Sequence, residues 1–185
     1  FALPPVLTRL RQAEPGIHVE IVASNDQSDL KRREADIAVR AIRPEQPDLI
    51  ARKLGDVAAY LYAAPSYLDR IGNPETPDGF RDADFVFFEN VDRYMDALAM
   101  LGLKIERNNF RVSTDNFLVQ WEFVKSGAGI GVMPDAVGDA EPAVCRALPS
   151  LEPFETELWL VAHRELRTSR RLRLVFDYLA RELAV

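Results

Sequence analysis

Polar residues gather where strands are expected to give way to helices. They are Ser24-Asn25-Asp26, Arg40-Ala41, Glu89-Asn90 and Ser113-Thr114-Asp115. In open α/β sheets, ligands bind just beyond the carboxyl ends of strands, where helix N-termini offer free N–H groups. Each group alone reads as a set of helix caps. Their shared position at strand ends points to a common cleft. Arg40 ends a strand there, and a guanidinium pairs bidentately with a carboxylate. The helix expected to start near Asp115 aims its N-terminal amides at the same place, which favours negative charge. Asp26, Glu89 and Asp115 pull the other way. Facing the cleft, they would repel an anion or select a ligand with a cationic end, such as an amino acid. Arg40 could instead pair with one of them.

Other chemistry finds little support. Gly127, Gly129 and Gly131 sit at every second position, in the order helix, glycines, strand. A dinucleotide fingerprint needs G-x-G-x-x-G between strand and helix, so these glycines read as a helix C-cap and a tight entry into a strand. His18 and His163 are the only histidines, and neither has a second ligand at i+3 or i+4. No serine sits in a G-x-S-x-G elbow. Cys145 lies in the apolar run Val144 to Leu148 and reads as a small buried hydrophobe. The arginines from Arg164 to Arg181 read as a solvated helix face, because Phe176 falls on the opposite, inward side. No catalytic residue, metal site or cofactor is expected.

The elements that must position the junction residues alternate along the chain. Leu3, Val6, Leu7 and Leu10 follow a helical period, with Pro4 and Pro5 in the first turn. Ile17 to Val22 alternates as a strand, a short helix is expected through Leu30 to Arg33, and Ala35 to Arg40 reads as a second strand. Ile50 to Leu54 and Val57 to Ala63 read as two further strands, followed by a mostly looped stretch to Phe80 with a short helix at Ser66 to Asp69. Phe85 to Phe88 is a strand, Arg93 to Leu101 a helix, and Phe110 to Ser113 a strand. Thr114 or Asp115 is expected to cap a helix with Phe117, Leu118, Trp121 and Val124 on one face. Val144 to Leu148 and Leu158 to Ala162 are strands, and Ser169 to Leu183 is an amphipathic helix. Such alternation argues for α/β sheets covered on both faces.

Composition narrows the classes further. The 185 residues carry 23 Lys and Arg against 29 Asp and Glu, a net charge of −6. DNA-gripping proteins draw affinity from Lys and Arg that displace counterions, so this chain is not expected to bind duplex DNA directly. The longest apolar run, Val57 to Ala64, is eight residues, and a bilayer span needs about 20. One cysteine excludes an intrachain disulfide and fits a reducing compartment. The chain starts without Met, inside what reads as the opening of a helix, and so reads as a fragment.

Taken in order, several segments resemble one family. Leu3-Pro4-Pro5-Val6-Leu7-Thr8-Arg9-Leu10, continuing to Ile21, is similar to the start of the effector-binding domain of LysR-type transcriptional regulators. Ala35-Asp36-Ile37-Ala38-Val39-Arg40 resembles that family's "D-x-A-I-R" strand, followed by a Pro-rich loop and Leu49 to Gly55. Tyr60 to Leu68 resembles its crossover into a second subdomain. Val124 to Pro134 resembles "V-x-x-G-x-G-I-x-x-x-P", and Leu158 to Val161 with the last helix resembles its ending. The family's usual opening strand and short polar loop are missing, and so is its DNA-reading winged helix-turn-helix.

The resemblance implies a two-lobed α/β fold like that of type 2 periplasmic binding proteins, its discontinuous lobes joined by two crossing strands. Lobe I would be 1–63 plus 163–185, and lobe II 64–162, with the last helix beside the first sheet. A small, polar effector would bind between the lobes, at Phe1, Ala2, Ser24, Asn25, Arg40, Ala41, Glu89, Asn90, Thr114, Asp115 and Met133. Its binding would change the conformation that attached DNA-binding domains feel. The resemblance further implies a cytoplasmic homodimer, or a tetramer in the full-length protein. The helix Pro5 to Gln12 and strand His18 to Val22 would lie near the interface, lobe I facing lobe II of the partner. A solute-binding protein of the same fold, and an enzyme on the same scaffold, are the competing readings.

Overall fold

Val6 and Leu10 lie one turn apart, and both are buried in α1 (Leu3–Ala13), whose first turn holds Pro4 and Pro5. The structure, a computed structural model, describes residues 2–23, 35–88, 91–164 and 168–184. Two compact units account for them: residues 1–57 with 155–185, and residues 58–154.

In the first unit, β1 (Ile37–Arg40) runs antiparallel to β7 (Phe154–His163), with Ile37 opposite Ala162 and Arg40 opposite Trp159. β7 in turn pairs with β2 (Leu49–Ala63). Side chains alternate across a strand. Ile37, Val39, Leu160 and Ala162 face one cluster with Leu54, α1 and α6 (Arg170–Glu182). Ala38, Trp159 and Val161 form a smaller cluster with Ala35 and Leu49. Helix α6 buries Phe176, Leu179 and Ala180, and its N-cap Ser169 accepts a hydrogen bond from the Leu172 N–H at 3.3 Å. Arg9 joins α1 to α6 through Glu182 at 3.1 Å.

In the second unit, the later half of β2 pairs antiparallel with β5 (Gly131–Pro134) and with β6 (Cys145–Arg146). A parallel pair, β3 (Val86–Phe88) and β4 (Val112–Thr114), sits beside α4 (Phe117–Lys125). Helices α2 (Pro65–Arg70), α3 (Val91–Met100) and α5 (Asp135–Gly138) complete the unit. Tyr67, Phe80, Phe85, Leu98, Leu103 and Ile130 form its main core. Buried Asn109 holds a turn there, donating to the carbonyls of Arg81 and Ala83 at 2.8 Å each and accepting from the Glu106 N–H.

Several expectations need correction. Residues 17–23 form no strand; they have no ladder partner among the described residues, and a lone extended segment gains nothing from its alternation. The two runs at 50–54 and 57–63 are one strand, β2. Of the run 144–148 only Cys145 and Arg146 pair, and Cys145 is exposed because it sits on the outward phase of that short strand. Leu118 is 58% exposed; it stands about 100° round the helix from Phe117 and off the Phe117–Trp121–Val124 face. The helix expected at Leu30 to Arg33 falls outside the described residues.

One polar clasp ties β2, α5 and β6 together. The buried Tyr62 donates to Asp139 at 2.8 Å, and Arg146 pairs with the same carboxylate while lying over the Tyr60 ring, 3.6 Å from its centroid. Burial, with the Asp139 bond second, pushes the Tyr62 phenol up to about 12. Arg146 and then Tyr62 hold the Asp139 carboxyl below its ordinary range. A depressed carboxyl stabilises the fold above its ordinary pKa and loses that contribution as pH falls through the lowered value.

Gly138 packs its bare Cα against the Tyr62 ring, and an added Cβ would overlap ring carbons. Gly138→Ala is expected to cost about 1–3 kcal/mol of stability in urea denaturation. Gly16, with nothing near its Cβ position, should tolerate Ala within about 0.5 kcal/mol. Tyr94 stacks on Phe87 at 4.0 Å, and its hydroxyl is buried without a hydrogen-bond partner among the described residues. Burial pushes that phenol far above its ordinary pKa. Tyr94→Phe should therefore leave stability unchanged or raise it by up to about 1 kcal/mol, because an unpaired buried hydroxyl is a cost. A clear drop in the urea midpoint would show that the hydroxyl has a partner.

Candidate functional site

β1 delivers Arg40 at its last position, on the sheet face it shares with Ala38 and opposite Trp159. The residue is half-buried, and its guanidinium makes no ion pair or hydrogen bond among the described residues. Of the acids named as its competing partners, Asp26 and Glu89 lie outside the described residues. An unpaired guanidinium that is partly withdrawn from water is poised for a charge-assisted bond to an anion.

The chain beyond Arg40 runs alongside the start of β7. Thr156 Oγ1 donates to the Ala41 carbonyl at 3.2 Å, and the Arg43 guanidinium lies 5.4 Å above the Trp159 ring. Trp159 Nε1 donates to Glu157 at 3.0 Å. Lys53 donates to Glu157 at 2.9 Å and contacts Asp56 at 2.6 Å. Lys53, and then Trp159, hold the Glu157 carboxyl below its usual range. An open pocket of about 490 Å³ is lined by Ala41, Ile42, Arg43, Asp56, Glu155, Thr156 and Glu157. Only Ala41 of these was expected. The alternation in Glu155-Thr156-Glu157-Leu158-Trp159 carries the missed signal, since it sets Glu155, Glu157 and Trp159 on one face.

In the second unit, Thr114 ends β4 and Asp115 lies in the turn that follows. Neither caps α4. The cap is Asn116, whose carboxamide oxygen accepts from the N–H groups of Leu118 and Val119 at 2.9 and 3.2 Å. Thr114 Oγ1 accepts from the Asn116 N–H at 3.1 Å and so fixes the turn. The correction is geometric: helical backbone begins only at Phe117, so Asn116 holds the capping position.

One turn into α4 stands Gln120, which sequence reasoning missed. It is 2% exposed, and its Nε2 donates to the Val86 carbonyl at 3.0 Å. Its Oε1 is buried without a partner among the described residues. Gly131 makes room for this carboxamide; a Cβ there would meet Nε2 at 3.2 Å and Val124 Cγ2 at 2.6 Å. The signal was its spacing, since positions 117, 120, 121 and 124 share one helical face.

Met133 is fully buried with Tyr62, Trp121 and Val124 in the second unit's core. Ala2 is exposed at the N-cap of α1. Phe1, Ser24, Asn25, Asp26, Glu89 and Asn90 lie outside the described residues. The structure thus sets Arg40 and Ala41 together in one unit and Thr114 and Asp115 together in the other. No cluster of His, Cys, Asp and Glu suited to a metal ion occurs among the described residues, and no described helix is long and apolar enough to cross a membrane.

Comparison with known proteins places this geometry. The profile of the LysR substrate binding domain matches residues 1–184. The Mau operon transcriptional activator of Paracoccus denitrificans is 28% identical over 96% of this chain and 59% of its own length. The transcriptional regulator CrgA of Neisseria meningitidis serogroup C is 26% identical over 98% of this chain and 62% of its own. This chain thus spans about three-fifths of the length of those two relatives. Among solved structures, the CrgA regulatory domain superposes with a TM-score of 0.81 at 22% identity, covering 98% of this chain and 91% of that one. The effector domain of AmpR from Pseudomonas aeruginosa gives 0.77 at 17% identity, over 98% and 88%. The fold is therefore the mixed α/β, type 2 periplasmic-binding-protein-like fold of these regulatory domains. The chain belongs to the LysR substrate-binding family: residues 1–184 are a LysR substrate-binding, or effector-binding, domain.

Proposed function

We propose that this domain senses a small polar effector bearing a negative charge, held between two lobes that β2 and β7 connect. The carrying observation is Arg40, half-buried at the end of β1 and unpaired among the described residues. Leaving such a charge without a partner costs stability, and an anionic ligand removes that cost. The second lobe would add the turn at Thr114 and Asp115 and the α4 N-terminus behind Asn116. A ligand that touches both lobes favours the arrangement that suits it, and this shift is the signal. DNA contact belongs to a winged helix-turn-helix outside this chain, consistent with the net charge of −6 here. The setting is the cytoplasm, where that domain would meet DNA.

The working form we infer is a homodimer, with a tetramer open to the full-length regulator. Apart from the single side chains of Ile42 and Met100, the exposed large apolar residues among those described fall in two groups: Val19, Ile21 and Val22 in one unit, and Leu118, Val119 and Phe123 on α4 in the other. Pairing the first patch with the second on a partner, twice over, would bury both in a closed two-fold arrangement.

Two outcomes follow. Once a screen identifies an anionic effector, calorimetry should show Arg40→Ala weakening it about tenfold or more, the loss of one charge-assisted contact. Thr114→Val should weaken it less. If both variants bind as tightly as the parent, the proposed cleft is misplaced. Light scattering at micromolar concentration should give twice the chain mass, and Ile21→Glu or Phe123→Glu should shift it to the monomer. A parent that stays monomeric at high concentration contradicts the dimer.

A further inference from the structure

The open pocket at the start of β7 has a charge pattern that the effector reading does not use. Of its ionised lining groups, Asp56 and Glu157 are already held by Lys53. Arg43 and Glu155 are not: neither makes an ion pair among the described residues. Arg43 is fixed by the Trp159 face beneath it, a contact that orients a guanidinium without neutralising it. Glu155 lies on the β7 phase of Glu157 and Trp159 and is exposed. Ile42, 44% exposed, adds an apolar wall to the same pocket. The volume of about 490 Å³ falls in the range of small-molecule sites.

We propose that this pocket, within the first unit alone, binds a small amphoteric ligand: a carboxylate on Arg43, a protonated amine toward Glu155, and a short methylene spacer on Ile42. Two opposite, unpaired charges lining one concavity but not bridged to each other are complementary to a molecule carrying both charges at a distance. Counting Lys53, the pocket's acids exceed its bases by one, so the cationic end is the stronger requirement. The site also has a place in the chain's path. Asp56 lies one residue before the end of the first unit's opening segment, and Glu155 is the first residue after the chain returns. A ligand held on Glu155 therefore sits where the chain re-enters the first unit, a second input beside the effector.

The test is titration of the isotope-labelled chain with γ-aminobutyrate, followed by backbone amide NMR shifts, with acetate and methylammonium as single-charge controls. Saturable shifts at residues 41–43 and 155–157 are expected at millimolar concentration. Arg43→Gln and Glu155→Gln should each weaken the binding about tenfold. The double exchange Arg43→Glu with Glu155→Arg should restore it with the ligand reversed, an outcome that a purely structural role for either residue does not give. Arg40→Ala should leave this titration unchanged, which separates it from the effector site. Absence of shifts at these residues, shifts that survive both single variants, or equal binding of acetate or methylammonium would each overturn the proposal.

Discussion

A single fifteen-residue strand, β2, joins β7 to β5 and β6 in one five-stranded sheet, and both units depend on it. Its first half takes β7 and sends Leu54 into the core beneath α1 and α6. Its second half takes β5 and β6 and sends Leu61 and Ala63 into one core and Tyr62 into another. The boundary between the units falls inside the strand, between Val57 and Ala58. Because strand side chains alternate with a fixed period of two, one slip in register would misplace all of these residues together. The clasp of Tyr62, Asp139 and Arg146, with Gly138 pressed against the ring, holds the register at one end. β7 holds it at the other.

Charge is distributed with the same economy. The ion pairs among the described residues lie mostly at the surface, within an element or between neighbours, where each contributes little. Lys53 with Asp56 and Glu157, and Arg164 with Asp48 at 3.1 Å, are of this kind. Several described arginines, among them Arg11, Arg40, Arg43, Arg52 and Arg81, have no acid partner among the described residues, and of these five Arg40 alone is half-buried. In the other unit the orphaned Oε1 of Gln120 sits behind the first turn of α4. Unsatisfied groups of this sort are rare in folded proteins and gather where a ligand, a water or a partner completes them.

Much of this was legible in the sequence, for reasons that can be named. The helical period at Leu3, Val6, Leu7 and Leu10 and the amphipathic run after Ser169 are local signals, and both helices formed as read. Gly127 ends α4 with φ at +79°, and the N–H groups of Gly127 and Ala128 reach back to the carbonyls of Val124 and Phe123. That is the geometry a C-terminal glycine predicts. What failed was non-local. Ile17 to Val22 has a strand's alternation, yet a strand exists only through its partner. Asn116, not Thr114 or Asp115, caps α4 because the cap is decided by where helical backbone begins. Gln120 was passed over because a polar residue on an apolar face looks like a gap in the pattern until its carbonyl partner is seen. The pocket at Arg43 and Glu155 joins segments more than a hundred residues apart, which no local pattern can announce.

In the proposed function one ligand meets both the end of β1 and the turn before α4. Hydrogen–deuterium exchange with and without an identified effector tests it most directly. The account predicts slowed exchange both at residues 37–43 and at residues 112–120, with α6 unchanged. Protection in only one of the two segments, or in neither while the effector binds, would contradict it.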